Sequence, residues 1–322
     1  MGQLGEDLYR ARTCRKTITK TLVVVHTVPL RNQWAKEVEK VYGFTPGIIG
    51  SGKFDIEPPI VIGNTQSLYR NIPKIQKEFG TVILDEMHHV SSPTFSKVID
   101  TSYARYKIGL SGTIERKDGK HVVFRDYFGS KIFKPPKENF MTPQVHVIKS
   151  DVRFMDGARI PWANRVTSLA NDEEYKHTIA MLSSFYAAKG HKVLVVSDRV
   201  NFLKNCSALV GETAICVTGE VPHEERETLL DEINYGNKNI LFGTQAIFSE
   251  GISVNSLSVL ILGTPINNEP LLTQLIGRVI REKDGKRDPV IVDIHLKGNT
   301  ARKQASNRMG YYIKQGWKIT QT

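Results

Sequence analysis

Short apolar runs rich in valine and isoleucine recur along the whole chain, each closed by a polar or glycine-containing turn, and they constrain the fold more than any other feature. In the first half they lie near residues 21–26, 47–50, 60–63, 81–85 and 107–111. The theme returns near 145–148, 192–197, 213–218, 239–243, 258–262 and 290–294. Runs of this kind, without polar alternation, read as strands covered on both faces. Amphipathic helical patterns stand between many of them, at 30–42, 172–188, 200–210, 224–235 and 271–281. Strands alternating with helices predict an α/β fold of mainly parallel sheets flanked by helices. A chain of 322 residues is long enough for two ordinary domains. The breaker-rich run Lys134-Pro135-Pro136-Lys137-Glu138-Asn139 suits a linker, so domains are expected over 1–140 and 141–322.

Composition removes several classes of function. No apolar run approaches the roughly 18 residues of a membrane span, and the first residues lack the apolar core of a secretory signal. No membrane partner and a cytoplasmic location are therefore expected. Cys14, Cys206 and Cys216 have no metal-type spacing and fit ordinary thiols in a reducing compartment. The 44 basic residues against 33 acidic ones leave a net charge of +11. That excess fits a polyanionic partner, whose counterions Lys and Arg would release; a solvated basic surface is the plainer account of it.

Chemistry is expected where strands end, because ligands of open α/β sheets bind outside the carboxyl ends of the strands. The run Thr81-Val82-Ile83-Leu84-Asp85-Glu86-Met87-His88-His89 places two carboxylates and a histidine there. Asp85 is suited to hold Mg²⁺ through water, Glu86 to polarise a water against a nucleotide phosphate, and His88 to sense the nucleotide. Ser111-Gly112-Thr113, just beyond another strand, supplies small hydroxyls that can relay the state of this acidic box. Thr244-Gln245-Ala246-Ile247-Phe248-Ser249-Glu250-Gly251 offers hydroxyl, amide and backbone N–H groups suited to a phosphate backbone or a ribose. In Gln274-Leu275-Ile276-Gly277-Arg278-Val279-Ile280-Arg281, the polar residues Gln274, Arg278 and Arg281 are spaced to share one helix face. Two arginines there can act on a γ-phosphate, and Gly277, costly in a helix by about 1 kcal/mol, suggests a close approach of backbone or ligand. Gly50-Ser51-Gly52-Lys53 looks like a piece of a phosphate loop but opens no helical pattern and reads as a turn. His88-His89 finds no third ligand at metal spacing. In the basic aromatic tail, Tyr311, Tyr312 and Trp317 are expected to pack a terminal helix onto the second domain.

Together these segments resemble the superfamily 2 helicases and translocases, which have two tandem RecA-like domains. Residues 85–88 look like motif II of that family, and Ser111 to Thr113 are similar to motif III. Thr27-Val28-Pro29-Leu30 with Gln33-Trp34 looks like motif Ia, and Gly63-Asn64-Thr65-Gln66-Ser67-Leu68 like motif Ib. Val193-Leu194-Val195-Val196-Ser197-Asp198-Arg199 is similar to motif IV, residues 243–251 to motif V and residues 274–281 to motif VI. The run Gly109-Leu110-Ser111-Gly112-Thr113-Ile114-Glu115-Arg116-Lys117-Asp118-Gly119, followed by Tyr127-Phe128-Gly129, resembles the branch of XPB-type DNA helicases and phage recombination helicases.

The resemblance implies an ATP- and Mg²⁺-dependent DNA helicase or translocase acting on branched, forked or single-stranded DNA, in the host cytoplasm if phage-encoded. It assigns Asp85, Glu86, His88, Gln274, Arg278 and Arg281 to catalysis, with Gly251 joining Asp85, Glu86 and the two arginines around ATP. It gives Thr27, Pro29, Asn64, Thr65, Gln66, Ser197, Arg199, Thr244 and Gln245 to nucleic acid, and Ser111 and Thr113 to coupling between domains. One departure stands out: the family's Gly-x-Gly-Lys-Thr phosphate loop is not found before the first strand. At about the expected distance stand Gly5-Glu6-Asp7, while Arg15-Lys16-Thr17 lacks the glycines. A truncated fragment, residues lost from the start, or a member with a failed ATP site would each account for it. An N-terminal DNA-recognition region, usual in the family, is likewise expected to be absent from this chain. A nucleic-acid-binding module without ATPase activity therefore remains the alternative. A restriction-system motor would need a nuclease or methylase partner, which nothing in the chain resembles; DNA is preferred over RNA.

Overall fold

In the computed structural model the described residues are 19–87, 92–111, 122–133, 140–157, 159–249, 254–266 and 268–321. The chain divides into two compact units, Met1–Lys137 and Glu138–Thr322. The first holds strands β1 (Thr21–Val25), β2 (Gly47–Gly50), β3 (Lys53–Phe54), β4 (Ile60–Asn64), β5 (Thr81–Leu84) and β6 (Tyr106–Gly109). Its helices are α1 (Val28–Tyr42), α2 (Thr65–Arg70), α3 (Ile72–Ile75), α4 (Pro93–Thr101) and α5 (Val122–Phe128). The sheet order is β3-β2-β4-β1-β5-β6. Central β1 is buried along its whole length and pairs in parallel with both neighbours, Thr21 standing level with Ile60 and with Thr81. Only short β3 is antiparallel among the described strands of this unit. It is joined to β2 through Ser51 and Gly52, both at positive φ, as a two-residue hairpin turn requires. The Gly50–Lys53 run is therefore a turn.

Helix α1 shows how sequence sets the local structure. Thr27 caps it, its hydroxyl accepting from Leu30 N at 3.3 Å, and Pro29 sits in the first turn, where no intrahelical N–H is needed. Gly43 ends it at φ +73°, donating to Glu39 O. Leu30, Arg31, Trp34 and Val38, with Trp34 three or four residues from each of the others, form its buried face. Trp34 is fully buried among Val23, Val25, Ile62 and Ile83.

The second unit begins with β7 (Gln144–Arg153) and the helices α6 (Trp162–Asn171) and α7 (Glu173–Ala188). It continues through β8 (Val193–Ser197), α8 (Val200–Val210), β9 (Ala214–Val217), α9 (His223–Asn234), β10 (Ile240–Thr244) and α10 (Gln245–Ser249). It closes with β11 (Val259–Leu262), α11 (Glu269–Val279), β12 (Val290–Lys297), α12 (Asn299–Lys314) and β13 (Lys318–Gln321). Its sheet runs β13-β7-β12-β11-β8-β10-β9, and every pairing is parallel. The two faces are covered by separate apolar clusters, one around Tyr175, Phe202 and Phe242, the other around Phe248, Leu275 and Tyr312. Cys206 is fully buried, and burial pushes its thiol up to about 12, so it is a core residue.

The aromatic tail packs as expected, and an unforeseen strand follows it. Tyr312 is fully buried, Trp317 stacks on it at 6.1 Å, and β13 then joins the edge of the sheet beside β7. An ion pair fastens this segment. Arg308 donates from Nη2 to Asp293 Oδ1 (2.7 Å) and from Nε to Asp293 Oδ2 (2.9 Å), and Tyr312 donates to the same Oδ2 (3.1 Å). Burial works against the charge on Arg308, but the facing carboxylate outweighs it and its pKa is raised. Asp293 has no exposed surface, so it must not lose its partner. Arg308→Met is expected to destabilise the second unit by about 3–5 kcal/mol, read as a lower midpoint of chemical unfolding. The double change Arg308→Met with Asp293→Leu should be markedly less harmful, because no buried charge is left unpaired.

Candidate functional site

In the first unit, parallel pairing brings the expected residues to one edge. Thr27 and Pro29 follow β1, Asn64, Thr65 and Gln66 end or follow β4, Asp85 and Glu86 follow β5, and Ser111 follows β6. The acidic pair is held by groups from three elements. Asp85 N donates to Val24 O, and Met87 N to Leu110 O, so the turn is stitched to both neighbouring strands. Trp34 Nε1 donates to Asp85 Oδ2 at 2.7 Å, and Glu86 N donates to Asp85 Oδ1 at 2.9 Å. Glu86 has φ +52°, an uncommon conformation for a residue with a side chain. Trp34, part of the segment that resembles motif Ia, has its ring in the core, and its N–H orients the first carboxylate.

Asp85 offers hard carboxylate oxygens, the donor type that Mg²⁺ takes. Among the described residues no three His, Cys, Asp or Glu side chains converge as a metal cage. Mg²⁺ keeps several waters and takes only one or two carboxylates beside substrate phosphates, so a carboxylate pair at a strand end has the chemistry to hold it. Asp85, with Glu86 beside it, is the group that would hold the ion.

Arg31 is a functional candidate that the sequence reading passed over. It is 7% exposed, and among the described residues its guanidinium donates to neutral groups: Nη1 to Asn64 Oδ1 (3.0 Å) and Ser51 Oγ (3.1 Å), Nη2 to Asn32 Oδ1 (3.3 Å). Burial lowers its pKa. Gly50 is required beside it, since a Cβ there would lie 2.7 Å from Nη1 and 2.6 Å from Asn64 Oδ1. The signal was a basic residue inside the 27–34 segment, one turn from the cap. Asn64 is thus tied to Arg31. Thr65 is corrected more strongly: it is buried, and its hydroxyl donates inward to Val25 O at 3.0 Å, so it ties β4 to β1. Gln66 is exposed on the same turn.

The second unit shows the same division of labour. Ser197, expected to touch nucleic acid, has no exposed surface; its Oγ accepts from Arg199 N (3.1 Å) and Thr264 Oγ1 (3.2 Å), bracing the ends of β8 and β11. Arg199 donates to Ala163 O at 3.1 Å and lies 3.3 Å from Asp198 Oδ2, fastening β8 to α6. Thr244 and Gln245 stay half-exposed at the end of β10. Gly243 just before them cannot be replaced freely, because a Cβ would meet Phe248 at 2.1 Å.

The expectation for residues 271–281 is partly overturned. Gln274 and Arg278 are half-buried on α11, away from its buried Leu272, Leu275, Ile276 and Val279. Arg281 is not on that helix face. The helix ends at Val279, and Arg281 bridges Phe140 in antiparallel fashion while Met141 N donates to Ile280 O, so strand-like pairing wins over the last turn. Burial lowers the pKa of Arg281. Its carbonyl accepts from Lys286 Nζ at 2.6 Å, and burial together with Arg281 pulls that ammonium down to about 8. A Cβ at Gly277 would meet nothing within 4 Å, so packing within the chain does not require glycine there. His88, Thr113 and Gly251 lie outside the described residues, as do Gly5 to Asp7 and Arg15 to Thr17.

Residues 7–116 match the family described as the res subunit of type III restriction enzymes, and residues 175–283 match the helicase conserved C-terminal domain. "Probable helicase D10" of Escherichia phage T5 is 47% identical over 322 residues, 99% of this chain and 72% of that protein. The DNA 3'-5' translocase XPB2 of Sulfurisphaera tokodaii is 24% identical over 89% of this chain and 74% of its own length. The solved structure of S. cerevisiae Dbp5 bound to RNA and ADP BeF3 covers 100% of this chain and 82% of its own, with TM-score 0.67 at 12% identity. That last likeness is one of fold, two RecA-like domains each built on a mainly parallel sheet. With almost half its residues shared with the phage T5 protein along nearly the whole chain, and acidic and arginine motifs in the order of the family, this chain belongs to the superfamily 2 helicases, in the group of the XPB-type and phage enzymes.

Proposed function

We propose that the chain is the motor core of an ATP-driven DNA helicase or translocase that acts on branched or forked DNA. The observation that carries this reading is the carboxylate of Asp85, held by Trp34 Nε1 and Glu86 N at the end of a fully buried strand. A carboxylate oriented in advance costs no reorganisation when an ion and a triphosphate arrive. In this reading Asp85 holds hydrated Mg²⁺ and Glu86 polarises the attacking water. Arg278 and Arg281 stabilise charge on the γ-phosphate, with Gln274 beside them; Ser111 relays the state of the acidic pair. Transfer of a phosphoryl group needs little more from a protein than such positioning and charge. These roles, and those of His88, Thr113 and Gly251, rest on the family resemblance of their motifs. Along the strand edges Arg31, Gln66, Thr244 and Gln245 would contact the backbone of the nucleic acid, and Thr27, Asn64, Thr65, Ser197 and Arg199 would keep those edges in shape. DNA as the partner is supported by the net charge of +11 and by the named DNA translocase among the relatives.

One sequence observation favours a second reading, a nucleic-acid-binding module without ATPase activity: Gly5-Glu6-Asp7 would set carboxylates against the phosphates. ATP hydrolysis with forked, linear and no DNA separates the two. We expect hydrolysis stimulated most by forks, in this chain or in a version given a Gly-x-Gly-Lys-Thr segment before β1. Glu86→Gln should lower the rate by at least about a hundredfold while DNA binding persists. No hydrolysis in either version, with DNA bound normally, would leave only the module.

Trp34→Phe keeps the buried ring and removes one hydrogen bond to a carboxylate. Such bonds are worth about 1.5–3 kcal/mol, so the hydrolysis rate should fall roughly tenfold or more at unchanged DNA affinity. Arg31→Met should instead weaken DNA binding. The slope of log K against log salt should become shallower by about 0.7, the value for one phosphate contact to a single strand.

A further inference from the structure

The second unit carries a cleft that the roles above leave without an occupant. A cavity of about 450 Å³ opens beside the carboxyl edge of its sheet, where Asp198 follows β8, Gln245 follows β10 and Ile266 follows β11. Its size falls within the roughly 300–1,000 Å³ of small-molecule sites. Trp162, at the start of α6, lines it and stays 40% exposed, with its ring packed on Phe154 at 5.3 Å. A half-exposed tryptophan supported on one side is a platform for stacking. Gln304, from α12, lines the same cavity and is only 7% exposed, yet its Oε1 meets no hydrogen-bond partner among the described residues. A buried amide oxygen in that state favours a ligand that brings a donor.

The charge of the walls selects among ligands. Among the described residues lining the cavity, Asp198 is the titratable one and none is a lysine or arginine. Gln245, Asn268 and Gln304 contribute amides. Asp198 is already paired with Arg199, which lies 3.3 Å from its Oδ2, so the described lining residues offer a phosphate no cation of their own. A flat neutral ring with an amino group would meet an aromatic surface and an unused acceptor. Gln245 also belongs to the edge along which the strand is proposed to run.

We propose that this cleft receives one unstacked nucleobase of the bound single strand, stacked on Trp162 and donating an amino proton to Gln304 Oε1. The proposal rests on the nucleic-acid reading and adds a base contact to a path otherwise read through phosphates. Cytosine, with its N4 amino group, is preferred over thymine, which has none on that edge.

Anisotropy of labelled oligo(dC) and oligo(dT) on the full chain tests it. The wild type should prefer oligo(dC) several-fold. Trp162→Leu, which keeps apolar contact with Phe154, should lose about tenfold in affinity with an unchanged salt slope, and Trp162→Phe should recover most of it. Gln304→Leu should bind both oligonucleotides equally. If the Trp162→Leu and Gln304→Leu variants bind as the wild type does while Arg31→Met binds weakly, the nucleic-acid reading stands and the base site is overturned. If the wild type binds neither oligonucleotide at low salt, both fall together. Quenching of tryptophan by free deoxycytidine monophosphate as strong as by oligo(dC) would make it a mononucleotide site and overturn the strand assignment.

Discussion

Parallel pairing around one fully buried strand is the constraint from which the first unit follows. Val24 on β1 stands level with Gly63 on β4 and with Leu84 on β5, and the strands carry mainly apolar side chains into the two cores, Thr21 and Thr81 being buried where β1 and β5 begin. A parallel sheet sends every carboxyl end to the same edge. Its middle, covered on both faces, has no room for a charge. Polar chemistry is therefore confined to the first residues after each strand, and residues as far apart in sequence as Thr27 and Ser111 come to the same edge. The seven-stranded sheet of the second unit repeats this arrangement with β8, β10 and β11.

What happens at such an edge is a division between polar groups that close the structure and polar groups left for a ligand. Thr65 and Ser197 stand at the expected places, yet both are buried and their hydroxyls are occupied by Val25 O and by Arg199 N with Thr264 Oγ1. A buried hydroxyl without a partner would cost more than its bond contributes, so the fold uses them first. Arg31 is the opposite case. A guanidinium surrounded by amide and hydroxyl oxygens keeps a full charge in a place where water is scarce. The same reasoning separates Gln304, with its bare oxygen, from Asp293, whose carboxylate takes three bonds from Arg308 and Tyr312.

Much of the architecture was legible in the residues. Every apolar run named from the sequence corresponds to a strand within a few residues, because a strand covered on both faces has an unmistakable composition. The short strands β3 and β13 were not anticipated: Lys53 and Phe54 are exposed, and 318–321 alternates weakly, so neither carries a buried signature. The helix expected to reach Arg281 stops at Val279, since the pairing of Arg281 with Phe140 lies far away in sequence. The edge residues Asp85 and Glu86 were readable because they follow directly on a strand. Arg31, Trp34 as a support and Gln304 were not, because their significance depends on burial and on partners from other elements.

By itself the sequence determined the order of all the strands except β3 and β13, their alternation with helices and the positions of the acidic and arginine motifs. All of these depend on interactions between residues close along the chain, or on the average polarity of a short window. Only the tertiary structure decided which atom each polar group meets. The Trp34 N–H reaches Asp85 across 51 positions, and Arg308 turns to Asp293 across a helix and a strand. Such partners are chosen by packing, where filling space and satisfying every buried donor must succeed together, and no window of sequence contains that choice.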